Sequence, residues 1–292
     1  MVSQMNASKR KAFLFFGFCF ITLFLQLKSQ SIDQESYLSD TQQKISYFEK
    51  CCTTTKVSRG LFDIGADVVR LYRNLFDWDS FKVFTSFFPF YIAASMADDS
   101  LRDCFYNRTN HKNINQMHDH FHTFANNFSV GVVAAIAGTS YIFSHNDRLV
   151  QTSRAFLLGV PFVILTTDFI KIAIEKEISL RPWNQDFSCK KRSYGGFPST
   201  HGAQLGYATV LFAKQMGWRF GVPFAALTAF VGGTFVNGNR HTLAQYIAGV
   251  GLGAMFAFAA DKIVDERVAK HFDINLNIDA KIGPCIDLGF KF

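Results

Sequence analysis

The chain reads as an all-α fold: a helical bundle of about six apolar helices, with a short C-terminal β-hairpin-like tail. Three observations lead there. Apolar runs of helical length recur between residues 83 and 264, with short polar connections between them. Many carry Ala and Gly, which let helix backbones approach closely. Period-two alternation, the signature of a strand, occurs in the tail.

In chain order, Lys9-Arg10-Lys11 come first, followed by an apolar stretch over 12–25 and a polar one over 26–35. A basic segment before a short apolar one reads as an export signal or a single membrane anchor, assigned to 1–27. Residues 28–80 read as a polar extension with one amphipathic helix around 61–75. The bundle is assigned to 81–270, with apolar helices expected at 83–96, 124–143, 155–174, 203–216, 220–236 and 246–264. Lys171, Glu175 and Lys176 interrupt one end of the third, and Lys214 closes the fourth. In the tail, 271–292, Ile274, Leu276, Ile278 and Ala280 alternate with polar residues. Gly283-Pro284 breaks that run, and alternation resumes at Ile286, Leu288, Phe290 and Phe292, which predicts two short strands.

Composition narrows the classes. Of 292 residues 49% are hydrophobic and 18% charged, yet mean hydropathy is only +0.09, low for a chain wholly embedded in lipid. A soluble bundle and a membrane-embedded one both fit, and several apolar runs fall short of the ~20 residues of a spanning helix. The net charge is +7, and the basic residues are scattered apart from Lys9-Arg10-Lys11 and Lys190-Lys191-Arg192. No RNA-binding or helix-turn-helix signature accompanies them, so the expected partners are a membrane and an anionic phosphate substrate, with no nucleic acid. The six cysteines, Cys19, Cys51, Cys52, Cys104, Cys189 and Cys285, match no zinc spacing. His118, Asp119, His120 and His122 precede an apolar helix and read as a polar loop; no metal and no cofactor is expected.

Three segments carry chemistry. They are Leu180-Arg181-Pro182-Trp183, then Phe197-Pro198-Ser199-Thr200-His201-Gly202, then His241-Thr242-Leu243-Ala244-Gln245-Tyr246-Ile247-Ala248-Gly249. Each sits near the start or end of an apolar helix, and in an up-and-down bundle those ends meet on one side. An Arg, a Ser, two His and helix N-termini then converge, which is equipment for holding a phosphate.

The order Arg-Pro, Pro-Ser-x-His-Gly, then a His opening an Ala-Gly helix resembles the type 2 phosphatidic acid phosphatase superfamily, over roughly residues 124–264. That family includes lipid phosphatases, soluble bacterial acid phosphatases and vanadium haloperoxidases. The resemblance implies a metal-independent phosphatase that cleaves phosphomonoester or pyrophosphate bonds through a phosphohistidine. Its implied nucleophile is His241, and His201 is the acid that protonates the leaving oxygen. Arg181, Ser199 and the helix-start groups of Thr200 and Gly202 would hold the phosphate. The apolar surroundings favour a phospholipid or an isoprenyl phosphate as substrate.

The chain also departs from the family. The family's Lys, seven residues before the Arg, corresponds to Ile174 here; Lys171 is preferred over Lys176 in its place, because it ends an apolar helix. The family's third motif is Ser-Arg, five residues, His, three residues, Asp. Aligned on Ala248-Gly249, it puts His241 at the nucleophile, Gln245 at the Asp, and Thr234 and Phe235 at the Ser-Arg pair. Aligned on Asn239-Arg240, it puts Tyr246 and Val250 at the His and Asp. The first register is preferred because it keeps the histidine. Arg240 is then expected to supply a phosphate ligand from a different direction. Gln245 lies one helical turn from His241 and is expected to accept a hydrogen bond from its non-nucleophilic ring nitrogen. The same departures support an alternative: a degenerate member that binds phosphate headgroups or serves as a structural membrane protein.

Overall fold

The computed structural model describes residues 56–107, 112–113, 117–174, 195–271, 275–279 and 283–287. The signal-like segment and Arg181 lie outside the described residues. Helix α1 is Lys56–Leu75 and α2 is Trp78–Phe105, followed by the short paired strands β1, Tyr106–Asn107, and β2, Lys112–Asn113. Then come α3, Met117–Thr123, a π-helical turn over Phe124–Phe128, and α4, Ser129–Phe143. Helices α5, Asp147–Ala173, α6, Thr200–Met216, α7, Trp218–Asn237, and α8, Leu243–His271, complete the helical part. Strand β3, Asn275–Asp279, pairs antiparallel with β4, Gly283–Asp287. The fold is predominantly helical, and the apolar runs read between residues 83 and 264 lie in helices, apart from Ile174, which follows the end of α5.

Side-chain contacts fix the directions of the central helices. Lys171 at the end of α5 bonds Thr200 at the start of α6, while Arg148 at the start of α5 bonds Gln215 near the end of α6 at 2.7 Å. Helices α5 and α6 are therefore antiparallel. Helices α6 and α8 run parallel: Gly249 lies against Ser199 at one end, and Gln215 donates to Asp261 at 2.7 Å toward the other. One end of the bundle thus collects the end of α5 and the starts of α6 and α8.

The α6–α8 contact is the closest in the core, and glycine makes it. Gly202 and Gly206 on α6 face Gly249 and Gly253 on α8 at four-residue spacing. A Cβ at Gly253 would lie 2.0 Å from the Ala203 carbonyl oxygen, and one at Gly206 would lie 2.7 Å from that of Val250. Backbone meets backbone there, as small-residue helix pairs allow. Around this seam Tyr207 stacks on Phe156 with centroids 5.5 Å apart, and Phe212 packs on Phe224 at 5.0 Å. The two buried tyrosine hydroxyls are satisfied, Tyr207 Oη donating to Ala155 O at 2.6 Å and Tyr246 Oη to Thr228 O at 2.7 Å.

Helix α1 belongs to the same core. Its Leu71 and Leu75 are buried in the main apolar cluster, and its buried Asp67 accepts from Arg154 of α5 and Arg267 of α8. These ion pairs lie at the end of the bundle away from Thr200. Three helical segments among the described residues are long and apolar enough to cross a membrane: Asp147–Ala173, Trp218–Asn237 and Leu243–Ala269, at mean hydropathy 1.8, 1.4 and 1.6. Large apolar side chains such as Leu165, Phe169 and Ile172 stand exposed on α5, as do Ile136, Ile142 and Phe143 on α4.

Candidate functional site

The site grows from the start of α6. Gly195, at φ +88°, turns the chain in the left-handed region that favours glycine. Ser199 follows in extended conformation, and its Oγ accepts from Gly202 N at 3.3 Å, capping the helix. Ser199 N donates to Gln245 O at 3.1 Å, which ties this loop to the first turn of α8. The sequence assigns both Ser199 and Gly202 to the phosphate. Here the Gly202 amide serves the cap, and its missing side chain serves packing, since a Cβ would lie 2.8 Å from Tyr246 O.

Lys171 reaches this helix start from α5. Its Nζ donates to Thr200 Oγ1 and pairs with Asp168 Oδ1 at 2.9 Å. A helix N-terminus carries partial positive charge, so the ammonium beside it is repelled by the helix end and offset in part by Asp168. Arg181, the other cation assigned to the phosphate, lies among residues 175–194, outside the described residues.

His201 sits half-buried in the first turn of α6. Its Nε2 donates to the Asn126 carbonyl oxygen at 2.9 Å. That carbonyl belongs to the π-helical turn, a form of helix that often marks a functional position. His241, 7% exposed, follows α7 in a turn where Asn239 adopts φ +54°. The amides of Arg240 and His241 both donate to Phe235 O, at 2.9 and 3.4 Å. Arg240 is half-buried beside His241.

The two histidines share one aromatic neighbour. The Phe235 ring stands edge-on to His201 with centroids 5.1 Å apart, and edge-on to His241 at 5.6 Å. Phe235 is 1% exposed. The second and third motifs thus meet at one end of the bundle, with Phe235 as the wall common to His201 and His241.

His241 Nδ1 donates to the Gly196 carbonyl oxygen at 2.8 Å. A carbonyl only accepts, so the neutral ring carries its proton on Nδ1 and its lone pair on Nε2. The expectation that Gln245 accepts from the non-nucleophilic nitrogen is therefore corrected: Gly196 supplies that acceptor. Gln245 Oε1 accepts from Thr242 N at 3.2 Å, and Thr242 Oγ1 accepts from Gln245 N at 3.1 Å. This reciprocal pair is a capping box at the start of α8. Its Thr-x-x-Gln signature stands in the sequence as Thr242-Leu243-Ala244-Gln245, and the sequence reading passed over it.

Asp98 of α2 is a second residue that reading missed. Its Oδ1 accepts from Ala244 N at 3.2 Å, adding a carboxylate to the same helix start. Its only signal was an acidic pair, Asp98-Asp99, at the end of an apolar run. The polar cluster read as a loop is helical, forming α3, Met117–Thr123, where His122 is half-buried and His120 exposed. Set against family models, curated proteins and solved structures, the chain matches none.

Proposed function

We propose that the chain is a metal-independent phosphatase, a phosphoric monoester hydrolase acting on a lipid phosphate or an isoprenyl pyrophosphate through a phosphohistidine. The observation that carries this reading is the gathering of Lys171, Ser199, Thr200, His201 and His241 at two adjoining helix starts. His241 Nε2 attacks phosphorus in line, and the bond to the leaving oxygen breaks as His201 gives that oxygen a proton. Water then attacks the phosphohistidine, His201 takes the water's proton, and phosphate leaves. Lys171, Arg181, Arg240 and the Ser199 and Thr200 hydroxyls hold the non-reacting oxygens and stabilise the charge that builds there.

Helices apolar enough to cross a membrane support a membrane-associated enzyme, and the basic–apolar N-terminal segment supports export. A lipid substrate would then present its headgroup to the end of the bundle. The second reading, a degenerate member that only binds phosphate headgroups, draws on Phe235 and on Gln245: one family cation and one family carboxylate are replaced by neutral side chains. Phosphate release from lipid and soluble phosphates by the full chain in detergent separates the two. The phosphatase reading expects release that survives EDTA and disappears in His241→Ala. Binding without release in the wild type would establish the second reading.

A further inference from the structure

We propose that the backbone carbonyl of Gly196, and not the Gln245 side chain, is the positioning group that sets the tautomer of His241. The inference rests on the phosphatase reading for what His241 does, but not for how its ring is held. A nucleophilic histidine needs its reacting nitrogen unprotonated and its ring fixed. In the resembling family a carboxylate one turn along the helix does this, and here that position holds Gln245. Gln245 closes the capping box with Thr242 instead. The Gly196 oxygen lies 2.8 Å from Nδ1 in a buried setting, which fixes the proton there and leaves the lone pair on Nε2.

The turn that carries this oxygen is itself held against α8. Ser199 N donates to Gln245 O, three residues beyond Gly196. A Cβ on Gly196 would lie 2.7 and 2.8 Å from the side-chain oxygen and nitrogen of Gln245. The absence of a side chain at Gly196 thus lets the loop approach the capping box closely enough to reach His241. Gly196 φ is outside the left-handed region, so a methyl group there acts through contact with Gln245 rather than through backbone strain. A carbonyl brings no negative charge, so it orients the ring without favouring the imidazolium as a carboxylate does.

The test is the tautomer itself, read by two-bond ¹⁵N–¹H NMR on full-length protein labelled at histidine nitrogens, with the His241 signals assigned by their loss in His241→Asn. The wild type should show Nδ1 protonated and Nε2 unprotonated above the ring's titration. Gln245→Ala should keep that pattern. Gly196→Ala should lose it, and kcat for phosphate release should fall at least ~10-fold with little change in KM. Gly196→Ala combined with Gln245→Ala makes room for the methyl group and should restore the pattern. A wild-type ring protonated on Nε2 overturns the proposal, and so does a tautomer that changes in Gln245→Ala alone. If Gly196→Ala fails to fold, the wild-type and Gln245→Ala spectra still decide it. An absence of turnover in the wild type would count against the phosphatase reading and leave the tautomer assignment standing.

Discussion

Lys171 and Thr200, 29 positions apart in the chain, are joined by a hydrogen bond from Nζ to Oγ1. The bond crosses from the last turn of α5 to the first turn of α6 and puts a cation where the α6 dipole is already positive. Asp168 offsets part of that charge at 2.9 Å. An incoming phosphate would offset the rest.

Lys171→Met should therefore separate binding from folding. Inhibition by inorganic phosphate should weaken at least ~10-fold, about the loss of one charge-assisted hydrogen bond. The unliganded protein should be as stable as the wild type or more so, by up to ~1 kcal/mol, because a repulsion with the helix end is removed. Phosphate inhibition and thermal unfolding measured on the same preparation check both halves. An unchanged inhibition constant would reduce Lys171 to a helix-end charge.

Phe235 is the wall between the histidines, and its burial makes it a stability residue as well. Phe235→Ala should cost about 3–5 kcal/mol by denaturant unfolding, the usual range for a buried Phe. Phe235→Leu should cost under ~1.5 kcal/mol and leave a folded protein for assay. Its kcat should fall more than its KM changes, since both imidazoles lose an edge-on neighbour. Equal turnover per folded molecule would mean that the ring packs the bundle without shaping the site.

The α6–α8 seam gives a prediction independent of function. Gly253→Ala brings a methyl group against the Ala203 carbonyl, where no rotamer can relieve the contact. The loss should reach or exceed the ~1–3 kcal/mol typical of overpacking. Gly131 on α4 is the control, because a Cβ there meets nothing within 4 Å. Gly131→Ala should gain up to ~1 kcal/mol from helix propensity. Melting temperatures of opposite sign are the expected outcome, and two equal shifts would count against the backbone seam.

What the sequence made legible follows from where each signal resides. The helical core was readable because apolar residues recur over whole segments, and Lys171 because it closes one of them. The Gln245 cap was equally readable as Thr242-x-x-Gln245, the signature of a capping box. The Gly196 acceptor was not readable, because a backbone carbonyl is common to every residue and only the fold decides which one meets His241. Helix α1 was visible as amphipathic within a polar stretch. That its Asp67 is buried between Arg154 and Arg267 depends on pairing across helices far apart in the chain.

The end of the bundle away from the histidines carries a pH-dependent element of stability. Asp77, in the turn between α1 and α2, accepts a hydrogen bond from Lys262 of α8, and Asp79 lies 3.0 Å from the same ammonium. The hydrogen bond from Lys262 holds the Asp77 carboxyl below its usual 3.8, against a smaller opposing effect of burial. Asp79 is shifted the same way, first by Lys262 and then by Lys82. A carboxyl lowered in the folded state stabilises that state above its unfolded value and ceases to do so as pH falls through the folded value. The contribution is therefore full from neutral pH down to about 4 and fades below the usual value of 3.8. Both carboxylates are substantially exposed, so solvent screening limits the whole effect to about 1 kcal/mol or less. Lys262→Met should lower the melting temperature slightly at pH 6, with the difference from wild type shrinking toward pH 2.5 and in about 1 M salt. A difference that persists at pH 2.5 would assign the effect to the packing of the Lys262 stem rather than to its charge.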